Sequence, residues 1–301
     1  MNRIVIGTRG SDLARLQSGL VADLLKVKAG LESTFEIIST KGDKFDRAPF
    51  SDIPGKGFFT KEIEDALLSR TIDVAVHSMK DLPTELPSGL KIGAVCLREN
   101  PGDVIVAHRE VVDDSHKLGI RDGIFVGTSS VRRQSQIAAI DPRLKIRELR
   151  GNIPTRVSRL REGQYDAIVI ASAGIDRLKL DMGDLSVIRP GSDILVPAPA
   201  QGILAVEIRA DDADVEEAVS AIDDHDIRTQ VELERGLLEC FAGGCQLPLG
   251  AISFVTKDGY RLRAALGIKS GDGWAGVRKA DVGGSEIESV IKQAYDELIQ
   301  S

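Results

Sequence analysis

The chain has 301 residues, 42% apolar and 28% charged, with a net charge of −7 and only 4% aromatic residues. That balance belongs to a folded globular protein and excludes a disordered or low-complexity chain. No apolar run reaches the roughly 18 to 20 residues of a transmembrane helix, and a core poor in aromatics must be built from Ile, Val, Leu and Ala, which suits buried strands covered by helices.

The amino terminus, Met1-Asn2-Arg3-Ile4-Val5-Ile6-Gly7, enters strand-like sequence at once, without the apolar stretch and small-residue cleavage site of a secretory signal. Three cysteines, Cys96, Cys240 and Cys245, in a chain this large fit a reducing compartment, so a cytoplasmic protein is expected. After the strand at 4–7, Leu13, Leu16, Leu20, Leu24 and Val27 recur at helical spacing and predict one apolar helix face. A strand at 35–40, a helix at 61–69 and a strand at 73–77 continue the alternation, which predicts a mainly parallel sheet.

Arg98-Glu99-Asn100-Pro101-Gly102 breaks the pattern. A second α/β series follows, with strands at 103–107, 124–127, 144–149 and 166–171 and helices near 131–140 and 154–161. The second break, 196–202, precedes a strand at 203–209; two Pro/Gly breaks around one α/β series predict an inserted domain joined by two crossings. Helices near 226–240 and 287–299 then flank strands at 251–256 and 260–265, joined by a Lys257-Asp258-Gly259 hairpin turn. The expected division is 1–98 with 200–219 (α/β), 99–199 (α/β, inserted) and 220–301 (α+β).

Charge is segregated. Residues 131–161 hold nine basic side chains (Arg132, Arg133, Arg143, Lys145, Arg147, Arg150, Arg156, Arg159, Arg161) against Asp141 and Glu148. Gly127-Thr128-Ser129-Ser130 follows a strand and opens a helix with Arg132 and Arg133 in its first turn. Backbone N–H groups there favour a carboxylate or phosphate. Gly151-Asn152-Ile153-Pro154 repeats the arrangement, with Asn152 as cap, Pro154 in the first turn, and Arg150 and Arg156 flanking it. These four arginines read as anion ligands, and Arg143, Arg147, Arg159 and Arg161 as solvated helix faces. The acidic remainder and the lack of interleaved aromatics argue against nucleic acid.

Lys80 and Asp81 follow the buried run Asp73-Val74-Ala75-Val76-His77-Ser78-Met79, at the carboxyl end of a strand, where α/β sheets bind ligands. Asp81 alone reads either as a turn or cap residue or as a carboxylate that stabilises a cation and handles a proton. Cys245, in Ala242-Gly243-Gly244-Cys245-Gln246-Leu247-Pro248, reads as an accessible loop thiol; Cys96 and Cys240 read as packing residues. His77, His108, His116 and His225 form no ligand pattern with the cysteines, so no metal is expected. The glycine-containing turns match neither a Walker sequence nor a dinucleotide fingerprint.

Taken together, Gly7-Thr8-Arg9-Gly10-Ser11, Lys41-Gly42-Asp43, Gly55-Lys56-Gly57, the 76–81 segment, the 127–134 segment GTSSVRRQ, the 149–156 segment LRGNIPTR, Ala173-Gly174, Pro199-Ala200-Gln201-Gly202 and Gly243-Gly244-Cys245-Gln246 closely resemble the porphobilinogen deaminase (hydroxymethylbilane synthase) family. The resemblance implies two domains like type II periplasmic binding proteins around a cleft, plus a C-terminal α+β domain. It implies a dipyrromethane cofactor joined to Cys245 by a thioether, with Asp81 as catalytic carboxylate. Ser78, Lys80, Asp81, Ser130, Arg132, Arg133 and Gly151 would contact the cofactor. Arg9, Ser11, Arg150, Arg156, Arg177 and Gln201 would hold substrate, and Lys56 and Phe58 fall at the family's lid.

The implied reaction joins four porphobilinogen molecules head to tail with loss of ammonia, then releases hydroxymethylbilane by hydrolysis. The implied partner is a small molecule, with no nucleic acid or membrane, and the expected state is a monomer. A non-catalytic anion sensor with the same two lobes would need no anchored cofactor and no third domain.

Overall fold

The computed structural model describes residues 3–40, 60–241, 247–271 and 273–300. Strand β1 (Arg3–Thr8) leads into α1 (Asp12–Ala29). Ser11 caps this helix by accepting the Ala14 N–H at 3.3 Å, and Gly30, at φ 68°, ends it with its N–H on the Leu25 and Lys26 carbonyls. The inward face of α1 carries Gln17, Ser18, Val21 and Leu25, whereas Val27 is 79% exposed and Leu20 also faces solvent. The expected Leu13/Leu16/Leu20/Leu24/Val27 stripe is therefore displaced, because two inward positions are polar.

The chain continues through β2 (Glu32–Ile37), α2 (Lys61–Leu68), β3 (Val74–Ser78) and β4 (Leu90–Cys96). Then come β5 (Asp103–Ala107), β6 (Phe125–Gly127), α3 (Val131–Ile140), β7 (Lys145–Arg147), α4 (Ile153–Arg161), β8 (Ala167–Ala171), α5 (Ser172–Leu178) and β9 (Ser186–Ile188). Strand β10 (Leu204–Arg209), α6 (Ala213–Ser220), α7 (His225–Cys240), β11 (Leu249–Thr256), β12 (Gly259–Ser270), β13 (Gly273–Gly284) and α8 (Ile287–Gln300) complete the described elements.

One compact unit comprises Met1–Arg98 and Ile203–Arg228. Its sheet runs β2-β1-β3-β10-β4, with β1 parallel to β2 and β3, and β10 antiparallel to β3 and β4. The sheet is thus mixed rather than mainly parallel, because the strand after the second break runs the opposite way. On one face Ile4, Ile6, Val74, Val76, Leu204, Val206 and Ile208 pack with Val21, Leu25, Val215 and Val219. On the other, Ala75 packs with Ile63, Leu67 and Ile72.

That second face also buries charge. Burial pushes the Glu64 carboxyl above the ordinary glutamate range, and the nearby Glu207 charge adds to the effect. A raised carboxyl favours the protonated folded form, so its contribution is full below the unfolded value and fades as pH rises through the folded one. Glu64→Gln, neutral at every pH, should therefore flatten the alkaline side of the stability profile. Melting temperatures measured between about pH 4 and pH 8 check this; a variant curve parallel to the parent's would refute it.

The other unit comprises Glu99–Gly202 and Thr229–Ser301. Its first sheet, β7-β6-β8-β5-β9, keeps the strand order of the first unit, with β6 parallel to β7 and β8 and β5 antiparallel to β8 and β9. Asp103-Val104-Ile105-Val106-Ala107 and Ala167-Ile168-Val169-Ile170 are buried, which is why they read as near-continuous apolar runs. Its second sheet is antiparallel, β11-β12-β13, and its core joins Leu262, Ala264 and Val282 to Leu233 and Leu237 of α7 and Ala294 and Leu298 of α8. Gly259 forms the hairpin at φ 127°, where a Cβ would lie 2.4 Å from the Gly284 carbonyl oxygen. Among the described residues no helix is long and apolar enough to cross a membrane.

Candidate functional site

In the first unit β3 runs straight into a 3₁₀ turn, Met79–Asp81. The Met79 N–H donates to the Ile203 carbonyl at 3.0 Å and the Leu82 N–H closes on Met79 O at 3.3 Å. Met79 is buried, Lys80 half-buried and Asp81 exposed. The register Ile6↔Val74 and Gly7↔Ala75 is parallel, so β1 and β3 end at the same edge of the sheet. That edge carries Arg9 and Ser11 on one side and Lys80 and Asp81 on the other, the carboxyl edge at which α/β sheets bind ligands. Ser11 Oγ is engaged as the α1 cap, and Ser78 Oγ accepts a hydrogen bond from buried Gln17 Nε2 at 2.9 Å.

The second unit builds an equivalent edge. β6 ends at Gly127, and Ser130 caps α3 through Oγ and the Arg133 N–H at 3.5 Å. Ser129 Oγ donates to Leu149 O and accepts the Leu149 N–H, both at 3.0 Å, which ties this turn to the next. There Gly151 takes φ 98°, its carbonyl accepts Arg156 Nε at 2.7 Å, and Asn152 caps α4 on the Thr155 N–H at 2.9 Å. Arg150 is half-buried beside it.

Arg132 and Arg133 do not lie on an open helix face; each is 5% exposed. Arg132 Nη1 donates to Asp103 Oδ2 and to Val196 O, both at 2.7 Å. Arg133 donates through Nη2 to Asp103 Oδ1 and through Nη1 to Val169 O, both at 2.8 Å, while its buried Nε has no hydrogen-bond partner among the described residues. Burial alone would push the Asp103 carboxyl up, but the two guanidinium charges and their hydrogen bonds outweigh it and hold the group far below the usual carboxylate range. Two cations on one carboxylate leave the cluster with one surplus positive charge beneath the first turn of α3.

Gln201 is not at an open substrate surface. It is 1% exposed, and its Nε2 donates to Pro101 O at 2.6 Å and Asp103 Oδ1 at 2.9 Å, so it braces the start of β5. Arg177 is also buried and donates through Nη2 to Gly202 O at 2.8 Å. Three of the four arginines expected on solvated faces are exposed: Arg143 pairs with Asp122 and Asp141, Arg161 with Asp184, and Arg147, on β7, lies over the Phe125 ring; Arg159 is instead half-buried and donates through Nη1 to the Arg150 carbonyl at 3.1 Å. Cys96 is buried as expected, but Cys240 is exposed at the end of α7 and is not a packing residue. Cys245, Lys56 and Phe58 lie outside the described residues.

Sequence reasoning missed Gln17, Asp103 and Glu207. An acidic residue opening the apolar run of β5 was the visible signal for Asp103. Gln17 and Glu207 interrupt apolar patterns at inward positions, a weaker signal of the same kind.

Residues 4–217 match the family model described as porphobilinogen deaminase, dipyromethane cofactor binding domain. A porphobilinogen deaminase of Maridesulfovibrio salexigens is 42% identical over 287 residues, covering 95% of this chain and 91% of the relative. One from Syntrophobacter fumaroxidans is 47% identical over 251 residues, covering 82% and 78%. Among solved structures, a Salmonella typhimurium periplasmic binding protein described for high arginine specificity aligns with a TM-score of 0.44 at 12% identity, over 77% of this chain and 98% of that one.

Proposed function

Because this chain belongs to the porphobilinogen deaminase family, we propose that Asp81 is its catalytic carboxylate and Cys245 the anchor of its cofactor. Members of the family are hydroxymethylbilane synthases, transferases that condense porphobilinogen with loss of ammonia on a dipyrromethane cofactor. The observation that carries the Asp81 assignment is the shared carboxyl edge of β1 and β3, which puts Arg9 and Ser11 at the same end of the sheet as Lys80 and Asp81, whereas Cys245 is assigned from the family resemblance of Gly243-Gly244-Cys245-Gln246.

The donor set suits a group bearing several carboxylates. Arg132 and Arg133 retain one surplus positive charge over Asp103, and Arg133 Nε is buried without an acceptor among the described residues. Ser78, Lys80, Asp81, Ser130, Arg132, Arg133 and Gly151 would hold the cofactor. When bound, it supplies the nucleophilic pyrrole carbon to which substrate is joined. Arg9, Ser11, Arg150, Arg156 and Arg177 would orient the incoming substrate through its acetate and propionate groups. Gln201 supports them from the scaffold through Asp103. Asp81 would accept the substrate's pyrrole N–H, stabilise positive charge as ammonia departs, and handle the proton at the aminomethyl nitrogen. Lys56 and Phe58 are assigned to a lid.

The reading extends to three domains, 1–98 with 200–219, 99–199 and 220–301, and to a cytoplasmic monomer that binds no nucleic acid. It is supported by the separate sheets in these segments and by the three-cysteine composition.

Denatured intact-mass measurement with peptide mapping tests the anchor. The purified protein is expected to carry the mass of two linked pyrrole units on Cys245, and Cys96→Ala and Cys240→Ala are expected to retain it. An active protein with unmodified Cys245, or with the added mass on exposed Cys240, would overturn the assignment.

A further inference from the structure

We infer that Gln17 and Glu207 are positioning residues for the reaction: they pin the last two residues of β3 from opposite faces and so fix the turn that presents Asp81. The inference rests on the reading of Asp81 given above. Side chains alternate along a strand. Val74 and Val76 face α1, so Ser78 falls on that side, where Gln17 Nε2 of α1 reaches Ser78 Oγ at 2.9 Å. Ala75 faces α2, so His77 falls on the other side, where its Nε2 lies 3.0 Å from Glu207 Oε2 on β10. Between them, adjacent residues of one strand are gripped from above and below, three and four positions before Asp81.

Stability does not explain the His77–Glu207 contact. Gln17 is 5% exposed on the α1 face among Val, Ile and Leu, and His77 and Glu207 are 7% and 0% exposed on the α2 face, which packs Ile63, Leu67, Ile72 and Ala75. Among the described residues Glu207 Oε2 lies 3.0 Å from His77 Nε2, and its other carboxylate oxygen, Oε1, is buried with no hydrogen-bond partner. Glu64 of α2 adds a second buried carboxylate on the same face, its Oε1 without a hydrogen-bond partner among the described residues. A buried, half-satisfied carboxylate commonly costs more than an apolar side chain of the same size would. What the arrangement does supply is geometry. The backbone leaves β3 through a turn only three residues long, so a shift at residues 77 and 78 is transmitted directly to Lys80 and Asp81. A displacement of about 1 Å at a reacting group can slow a reaction by about 100-fold.

The test uses cofactor-loaded protein, verified by intact mass, and compares Glu207→Leu, Glu207→Gln, Gln17→Leu and Asp81→Asn. Single-turnover ammonia release, the separate values of kcat and KM, and thermal unfolding are measured on each. Glu207→Leu and Gln17→Leu are expected to slow ammonia release about 10- to 100-fold with KM within about twofold and the cofactor mass retained. Glu207→Gln, which keeps an oxygen for His77, is expected to recover most of the rate. Glu207→Leu should melt at or above the parent temperature, the reverse of what a structural role predicts. In the Asp81→Asn background, adding Glu207→Leu should slow the reaction no further.

Parent-like rates in Glu207→Leu or Gln17→Leu, with Asp81→Asn slow, would overturn the inference and leave the role of Asp81 standing. A parent-like rate in Asp81→Asn would overturn both. An undiminished effect of Glu207→Leu in the Asp81→Asn background would show action by another route and reject the inference. If Glu207→Leu does not fold, the parent or reduced rate of Gln17→Leu decides the question.

Discussion

Asp81→Asn is expected to slow single-turnover ammonia release at least several hundredfold while leaving the melting temperature close to the parent's. The substitution keeps size and much of the hydrogen-bonding capacity but removes the negative charge. Groups that stabilise charge developing in a transition state contribute about 3 to 4 kcal/mol, which converts to a factor of a few hundred in rate. The fold should tolerate the change because Asp81 is exposed and lies in a turn whose backbone bonds run from Met79 to Ile203 and from Leu82 to Met79. Surface substitutions away from caps and buried partners usually stay within about 0.5 kcal/mol. Asp81→Glu should keep part of the rate, since the charge survives while its alignment does not. A near-parent rate in Asp81→Asn would remove Asp81 from the chemistry. A loss of activity that follows a fall in melting temperature would return it to the role of a turn residue.

What the sequence revealed depended on whether the signal was local. The strands of the second unit were legible because both faces of Val104-Ile105-Val106-Ala107 and Ile168-Val169-Ile170 are covered, leaving no polar residue to interrupt the run. The α4 start was legible because capping chemistry lies within four residues: Asn152 accepts the Thr155 N–H, and Pro154 stands in the first turn. The face of α1 was not legible, since inward Gln17 answers to Ser78, 61 residues away. The direction of β10 was not legible either, because antiparallel pairing with β3 and β4 is a long-range choice that composition does not encode. β13 escaped because Gly273, Gly276, Gly283 and Gly284 hide its alternation.

The candidate site divides in the same way. Arg132 and Arg133 were visible from their position at a strand-to-helix turn. Their burial was not, because the carboxylate that permits it comes from 29 and 30 residues earlier in the chain. Asp103 converts what reads as an exposed cationic turn into a buried cluster with one unit of positive charge.

Removing that carboxylate should have the largest effect on stability of any substitution considered. Asp103 is 1% exposed and holds Arg132 at 2.7 Å, Arg133 at 2.8 Å and Gln201 at 2.9 Å. Asp103→Asn keeps an oxygen for some of these bonds but leaves two buried guanidinium charges facing each other without a counter-ion. Breaking a buried ion pair by removing one partner typically costs about 3 to 5 kcal/mol, far more than the roughly 1 kcal/mol of an exposed pair such as Arg161–Asp184. Chemical unfolding followed by circular dichroism should show a loss in that range. Its pH dependence has a definite sign. Because the folded Asp103 carboxyl lies far below its ordinary value, its contribution is complete above about pH 4 and is lost only as pH falls towards the folded value. The gap between parent and variant should therefore be constant near neutrality and narrow in acid. Adding Arg133→Met to Asp103→Asn removes one surplus cation, so the double variant should be more stable than Asp103→Asn alone, a non-additivity that simple loss of packing would not produce. If Asp103→Asn costs less than about 1 kcal/mol, or if Arg133→Met only adds to the damage, the two arginines are not held by Asp103 as an ion cluster.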